Sequence, residues 1–232
     1  METGLDRLPA VRFTSGLQLE LVPLPLTMSA TLHLPRHIFD EIVAHAREGK
    51  PQEVCGLLRG RGGWVTEIRR ARNVAANPVM DYEVDPVALL VQFDWEEAGD
   101  EMIAIYHSHP QDPAYPSASD AFNAHYPDAV YLICSLLDET RPVLKGYFLR
   151  PAEGQVDLQR LDAELSFYET RPSRWAAYVP AEEPLPSCLA GVDRTAGQAL
   201  YVVYEQVSGH APDVRVVTVE PVAVRVEEPP DH

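Results

Sequence analysis

The stretch that most limits what this chain can become runs from Met102 to Tyr126: Met-Ile-Ala-Ile-Tyr-His-Ser-His-Pro, six further residues, then Ser-Ala-Ser-Asp. An apolar run leading into two histidines one residue apart reads as the end of a buried strand. Side chains alternate along a strand, so residues 103, 105, 107 and 109 are expected on one face, with the His107 and His109 imidazoles close enough to share one ion. Pro110 cannot donate to a ladder and stops the strand.

After the loop Gln111 to Pro116, Ser117 is a good N-cap, and Ser117-Ala-Ser-Asp120 sets an acid at the third helical position. Asp120 can thereby return to the histidine pair as a third ligand. Two imidazoles, one carboxylate and a vacant fourth position make the open tetrahedral arrangement of a catalytic zinc. Each piece also has a plain reading. His-x-His alone marks a metal only weakly, and Ser-x-x-Asp by default caps a helix. Strand end, proline stop, cap and acid together point to the metal.

The chain has 232 residues, 46% hydrophobic and 23% charged, enough for one large domain or a domain with an appendage. A formal net charge of −16 argues against nucleic acid as a partner and is compatible with a protein partner carrying basic patches. Cys55, Cys134 and Cys188 are odd in number and far apart, so neither a disulfide framework nor a Cys-rich zinc module follows. No run of roughly 18 apolar residues exists, so no membrane span is expected. The start, Met-Glu-Thr-Gly-Leu-Asp, lacks the regions of a signal peptide, and a cytoplasmic protein is expected.

Residues 1–29 read as an extension with one strand, Leu17, Leu19 and Leu21 alternating with polar residues before Pro23 and Pro25 break the pattern. Ala30 to Leu34 is a short strand. Pro35 opens a helix to about Arg47, with Ile38, Ile42, Val43 and Ala46 on one face. Val54 to Leu58 is a buried strand with Glu53 at its mouth, where a lone carboxylate is by default solvated. Gly60-Arg-Gly-Gly63 reads as a hairpin turn and not a phosphate loop. Arg69, Arg70 and Arg72 read as a solvated strand edge, and Val87 to Ala98 as a second helix. Ala129 to Leu137 is a strand with Val130, Leu132 and Cys134 on one face, and Val143 to Leu149 is its neighbour.

From about Glu169 the chain turns proline-rich and then strand-like at Ala199–Tyr204 and Val214–Val226, so residues 169–232 read as a connection and a small β appendage. Strands that extend or cap the core are the plainer account of it. A substrate-docking or dimerisation module, and with it a homodimer, is the alternative. Truncation after about Arg171 is expected to leave the zinc site competent.

Taken together, Glu53, His107-Ser-His109-Pro110, Pro116-Ser117 and Asp120 resemble the zinc motif of the JAMM (MPN+) metalloprotease family, and the order of elements matches from roughly Leu32 to Leu161. The resemblance implies an α/β MPN (cytidine-deaminase-like) fold, a curved and mostly antiparallel sheet flanked by helices, with the metalloprotease domain at residues 30–168. It implies that His107, His109 and Asp120 bind Zn2+ and that water takes the fourth position. Glu53 would be the general base that passes a proton to the leaving amine, and Ser117 a donor to the oxyanion. The implied activity is that of a stand-alone prokaryotic-type enzyme. It would hydrolyse a peptide or isopeptide bond after the C-terminal tail of a ubiquitin-like or sulfur-carrier protein. A non-catalytic zinc-containing MPN scaffold for protein–protein interaction is the competing reading. A nucleic-acid-associated relative is a third, which the net charge opposes. A deaminase-type zinc site lacks its Pro-Cys-x-x-Cys, and the His-Glu-x-x-His motif of zincins is absent.

Overall fold

The computed structural model describes residues 31–206 and 212–228. The strand expected around Leu19 lies outside them. In chain order the first half comprises β1 (Thr31–Pro35), α1 (Arg36–Gly49), β2 (Cys55–Arg61), β3 (Trp64–Ala71), α2 (Pro86–Leu89), α3 (Val91–Glu97) and β4 (Glu101–His109). Then follow α4 (Ala118–Phe122), β5 (Val130–Ser135), β6 (Val143–Pro151), β7 (Gly154–Gln155) and α5 (Leu161–Glu164). The last part holds β8 (Tyr168–Arg171), β9 (Arg174–Val179), β10 (Gly191–Val192), β11 (Ala199–Glu205) and β12 (Asp213–Glu227). No helix among the described residues is long and apolar enough to cross a membrane.

The main sheet runs β1-β3-β2-β4-β5-β6-β12-β11-β9-β8, and β12 pairs with β1 as well. The strands from β1 to β12 in that order therefore close on themselves, and β11, β9 and β8 continue outward. β1–β12, β1–β3 and β4–β5 are parallel, while the other pairings are antiparallel, so the sheet is mixed and, as expected, mostly antiparallel.

β12 makes the closure possible. Its 15 residues serve three neighbours in succession. Residues 213–219 lie against β11, 217–222 against β6 with Val219 opposite Leu149, and 223–227 against β1 with Val224 opposite Leu32. The C-terminal β-rich region is thus continuous with the main sheet, and its long strand covers two edges that would otherwise be open.

Both faces of the central strands are buried, as the unbroken apolar run of β5 requires. Val130, Leu132 and Cys134 pack toward Ile38, Ile42, Val43 and Ala46 of α1, on the face the alternation assigns them. Tyr131 and Ile133 face the other way, into a cluster with Trp95, Phe122, Tyr147 and Tyr201. A third cluster, with Leu161, Cys188, Leu189 and Leu200, fills the C-terminal region.

Three local expectations change. Ile103 leaves the face it was to share with Ile105, because a register shift opposite Leu58 and Arg59 inserts one extra residue into β4 and turns Ile103 toward Ala104 and Tyr106. The helix expected over Val87–Ala98 is divided at Leu90 into α2 and α3, with Val87, Leu90 and Phe93 exposed and Val91 and Trp95 inward. Arg70 is also no free edge charge: it bridges Glu41 and Glu48 of α1 at 2.6 and 2.5 Å. The glycine hairpin forms as expected, with Gly62 and Gly63 at φ 57° and 88°, the left-handed pair of a tight two-residue turn.

Truncation after Arg171 removes β9, β10, β11 and β12 and takes from β1 and β6 the neighbour β12 that they share, leaving an open edge on both over apolar side chains. Because β12 pairs with both β1 and β6, the competent truncated site expected from the sequence gives way to an aggregating chain without a cooperative thermal transition, read by size-exclusion chromatography and calorimetry. A soluble truncated chain with full-length metal affinity would contradict this account of the closure.

Candidate metal centre

β4 lies between β2 and β5, with His107 opposite Cys55 on one side and Ile133 on the other. The pairing with β5 carries on to His109 opposite Ser135, and the Leu136 N–H donates to the His109 carbonyl at 3.0 Å. The strand is therefore held on both flanks as far as His107 and Ser108, and on the β5 side through His109, which fixes where the two imidazoles project.

The chain then crosses a loop pinned from three strands. Ser135 Oγ donates to the Asp112 carbonyl at 2.5 Å, Tyr147 OH to Ala114 at 2.8 Å and Tyr201 OH to Pro116 at 2.9 Å. α4 opens with a capping box: the Asp120 N–H donates to Ser117 Oγ at 3.1 Å, and the Ser117 N–H donates to Asp120 Oδ2 at 2.7 Å. The box turns the Asp120 carboxylate back toward the histidines.

His107 Nε2 and His109 Nε2 stand 3.1 Å apart, and the Asp120 oxygens lie 3.4 and 3.5 Å from them. Donor atoms around a tetrahedral zinc are separated by about 3.3 Å, given ordinary zinc–nitrogen bond lengths. Among the described residues these three form the group able to hold a metal ion, and all are buried. The donor set and its spacing fit the ion that the sequence resemblance implies.

The two rings are steadied differently. His109 Nδ1–H donates to the Pro113 carbonyl at 2.8 Å, which leaves Nε2 directed at the cluster. His107 Nδ1 has no hydrogen-bond partner among the described residues, and its ring lies flat against Tyr82, centroids 4.1 Å apart and planes 16° off parallel. Burial draws His107 below the ordinary imidazole value despite Asp120 beside it. Burial pulls on His109 too, but its hydrogen bond to Asp120 and that residue's charge outweigh it and push it up to about 9. Burial works to raise Asp120, yet His107 and His109 hold it well below the carboxylate range.

Glu53 is only 7% exposed, contrary to the default for a lone carboxylate. Its burial, and then the charge of Asp120, push its carboxyl up to about 8, against the pull of His109. The backbone is fixed on two sides: its N–H donates to the Pro78 carbonyl at 2.7 Å, and Asn73 Nδ2 donates to its carbonyl at 2.9 Å. Next along, the Val54 N–H donates to Ser108 Oγ at 3.0 Å and the Ser108 N–H to the Val54 carbonyl at 2.9 Å. Ser108, between the histidines, thus ties the Glu53 segment to the histidine strand. Cys55 faces the same side, but burial pushes its thiol up to about 12 and keeps it neutral.

Ser117 is exposed, and its hydroxyl, which accepts from Asp120, donates to no described residue. It borders a groove of about 1080 Å³ lined by Tyr82, Ala118, Tyr126, Tyr168 and Arg171 among others. Asn73, Tyr82 and Ser108 are the members of the site that the motif does not announce. Asn73 and Tyr82 reach it through a loop whose course is not periodic, and Ser108 only by standing between two named residues.

Ser117→Ala removes the cap acceptor and is expected to cost about 1 kcal/mol in urea unfolding. His109→Ala should leave the fold intact and abolish tight metal binding, read by elemental analysis after dialysis; undiminished metal content would contradict the convergence of these donors.

A family model of prokaryotic homologs of the JAB domain matches residues 35–145. A desampylase of Haloferax volcanii is 44% identical over 116 residues, covering 46% of this chain and 82% of that protein. A CysO-cysteine peptidase of Mycobacterium tuberculosis is 36% identical over 113 residues, covering 47% of this chain and 77% of that one. A probable TtuB-protein conjugate cleaving protease of Thermus thermophilus is 38% identical over 96 residues, covering 41% and 64%. With the fold, the converging His107, His109 and Asp120 and these likenesses together, the chain belongs to the JAB/MPN family, among its JAMM-type metalloproteases.

Proposed function

We propose that this protein is a zinc-dependent peptidase or isopeptidase that hydrolyses the amide bond following the C-terminal tail of a ubiquitin-like or sulfur-carrier protein. The observation that carries the reading is a buried carboxyl, Glu53, on the segment that Ser108 ties to the His107–His109 strand, sensing the charges of both Asp120 and His109. His107, His109 and Asp120 hold the metal. Bound there, zinc supplies Lewis acidity and lowers the pKa of water from about 15.7 toward about 7.

Glu53 accepts the proton of the attacking water and delivers it to the departing amine, so one carboxyl serves both halves of the hydrolysis. Its burial favours the neutral acid and a nearby cation favours the carboxylate, which suits a group that must gain and lose a proton in one turnover. The Ser117 hydroxyl, already oriented by the Asp120 N–H, donates to the scissile carbonyl oxygen as negative charge gathers there. Tyr82 keeps the His107 ring from rotating.

Support for the substrate class comes from the relatives, one named for cleaving TtuB–protein conjugates and another as a CysO-cysteine peptidase. The groove beside Ser117, with small walls at Ala75, Ala76 and Ala118, suits an extended tail of small residues. Free, buried cysteines agree with a reducing compartment such as the cytoplasm.

Two experiments test this. Glu53→Gln is expected to retain zinc and lose cleavage by roughly 10²- to 10⁴-fold; cleavage within a few-fold of wild type would remove Glu53 as the base. Carrier proteins extended by one residue, or joined through their tails to a lysine, should be trimmed to the bare tail, as read by mass spectrometry. A chelator should stop this and added zinc restore it. No product from any tailed carrier would overturn the substrate class.

A further inference from the structure

α4 is five residues long, too short to be stable by its own hydrogen bonds. The capping box shapes its first turn, yet that box lies within the segment and does not set where the segment rests on the sheet. Side chains from β9, β11 and β12 do. Tyr201 OH donates to the Pro116 carbonyl at 2.9 Å, just ahead of the cap. At the other end Arg215 Nη1 donates to the Phe122 carbonyl at 2.9 Å, satisfying an acceptor that the helix end leaves open.

Phe122 is held as well. The guanidinium groups of Arg174 and Arg215 lie over its ring, 3.7 and 4.2 Å from the centroid. Arg174 is 8% exposed, and its Nε and Nη1 find no hydrogen-bond partner among the described residues. A cation buried in this way is costly unless compensated. What compensates it is Glu205, at 3.1 Å from Nη2, together with the face of the Phe122 ring. On the opposite flank of the site, Arg171 of β8 forms an ion pair with Asp81, the neighbour of the Tyr82 that stacks on His107.

Tyr201, Arg215, Arg174, Glu205 and Arg171 all lie beyond the 35–145 segment that carries the family match. We infer that the C-terminal β region braces the metal centre, with Tyr201, Arg174 and Arg215 as positioning residues that seat α4, and hence Asp120, against His107 and His109. The inference rests on the reading of those three side chains as ligands.

The test uses the full chain, stripped of metal, with variants outside the ligand set: Tyr201→Phe, which keeps the ring and removes one hydrogen bond, Arg215→Met and Arg215→Lys. Zinc affinity is read by competition with a chromophoric chelator, and ligand geometry by the visible absorption of the Co2+-loaded protein. Tyr201→Phe and Arg215→Met should each weaken zinc binding about 10-fold, the scale on which outer partners of ligands act, and alter the cobalt bands. Arg215→Lys should recover part of the loss. Should Arg215→Met fail to fold, Tyr201→Phe decides alone. Affinities within about twofold of wild type with an unchanged cobalt spectrum would overturn the brace, whatever the variants do to stability. A wild-type chain that takes up no metal would instead remove the ligand reading itself.

Discussion

A carboxylate taken out of water costs several kcal/mol unless positive charge or donors replace its hydration. Asp120 is buried with two imidazole nitrogens at 3.4 and 3.5 Å and its own cap N–H at 2.7 Å. That cluster is the constraint the surrounding structure serves. Asp120 in turn raises His109, so a proton on that imidazole helps to offset the buried charge. With a metal cation between them, the two Nε2 atoms and the carboxylate are satisfied together. Glu53 feels the same balance from a distance: the charge of Asp120 raises it, and any cation placed in the cluster acts in the opposite sense.

Such a cluster needs a stiff frame, because small displacements of a donor are felt at once by the ion it holds. The frame is the buried middle of the sheet. β4 is paired with β2 as far as His107 and with β5 through His109, and the loop that follows is stapled by Ser135, Tyr147 and Tyr201, which come from three different strands. β12 then draws β6 and β1 together and carries β11 and β9 into range of α4. Strands β9, β11 and β12 are therefore tied to α4, beside the His107, His109 and Asp120 cluster, through packing, hydrogen bonds and two arginines.

Much of this was legible in residue order because it depends on local rules. The alternation of Val130, Leu132 and Cys134 named a face and the fold kept it. The apolar spacing of α1 predicted its buried stripe, and the Ser117–Asp120 spacing predicted a cap that is present with both of its hydrogen bonds. The same spacing that made the cap also aimed the acid. Ile103 shows where the rule stops: one inserted residue in β4 reverses a side chain, and nothing in the run Met-Ile-Ala-Ile advertises the insertion. Long-range partners were hidden for a similar reason. Tyr82 against His107, Arg215 on Phe122 and β12 between β6 and β1 each join residues whose separation along the chain carries no periodic signal. Glu53 was visible only as part of a pattern, since burial of a single acid cannot be read from its neighbours.

X-ray absorption at the zinc edge of the purified, zinc-loaded protein tests most directly whether two imidazoles and a carboxylate hold one ion. The spectrum should show an inner shell of nitrogen and oxygen at about 2.0 Å with the outer-shell scattering of two imidazole rings. Sulfur at about 2.3 Å, or the signal of a fully hydrated ion with no imidazole scattering, would contradict it.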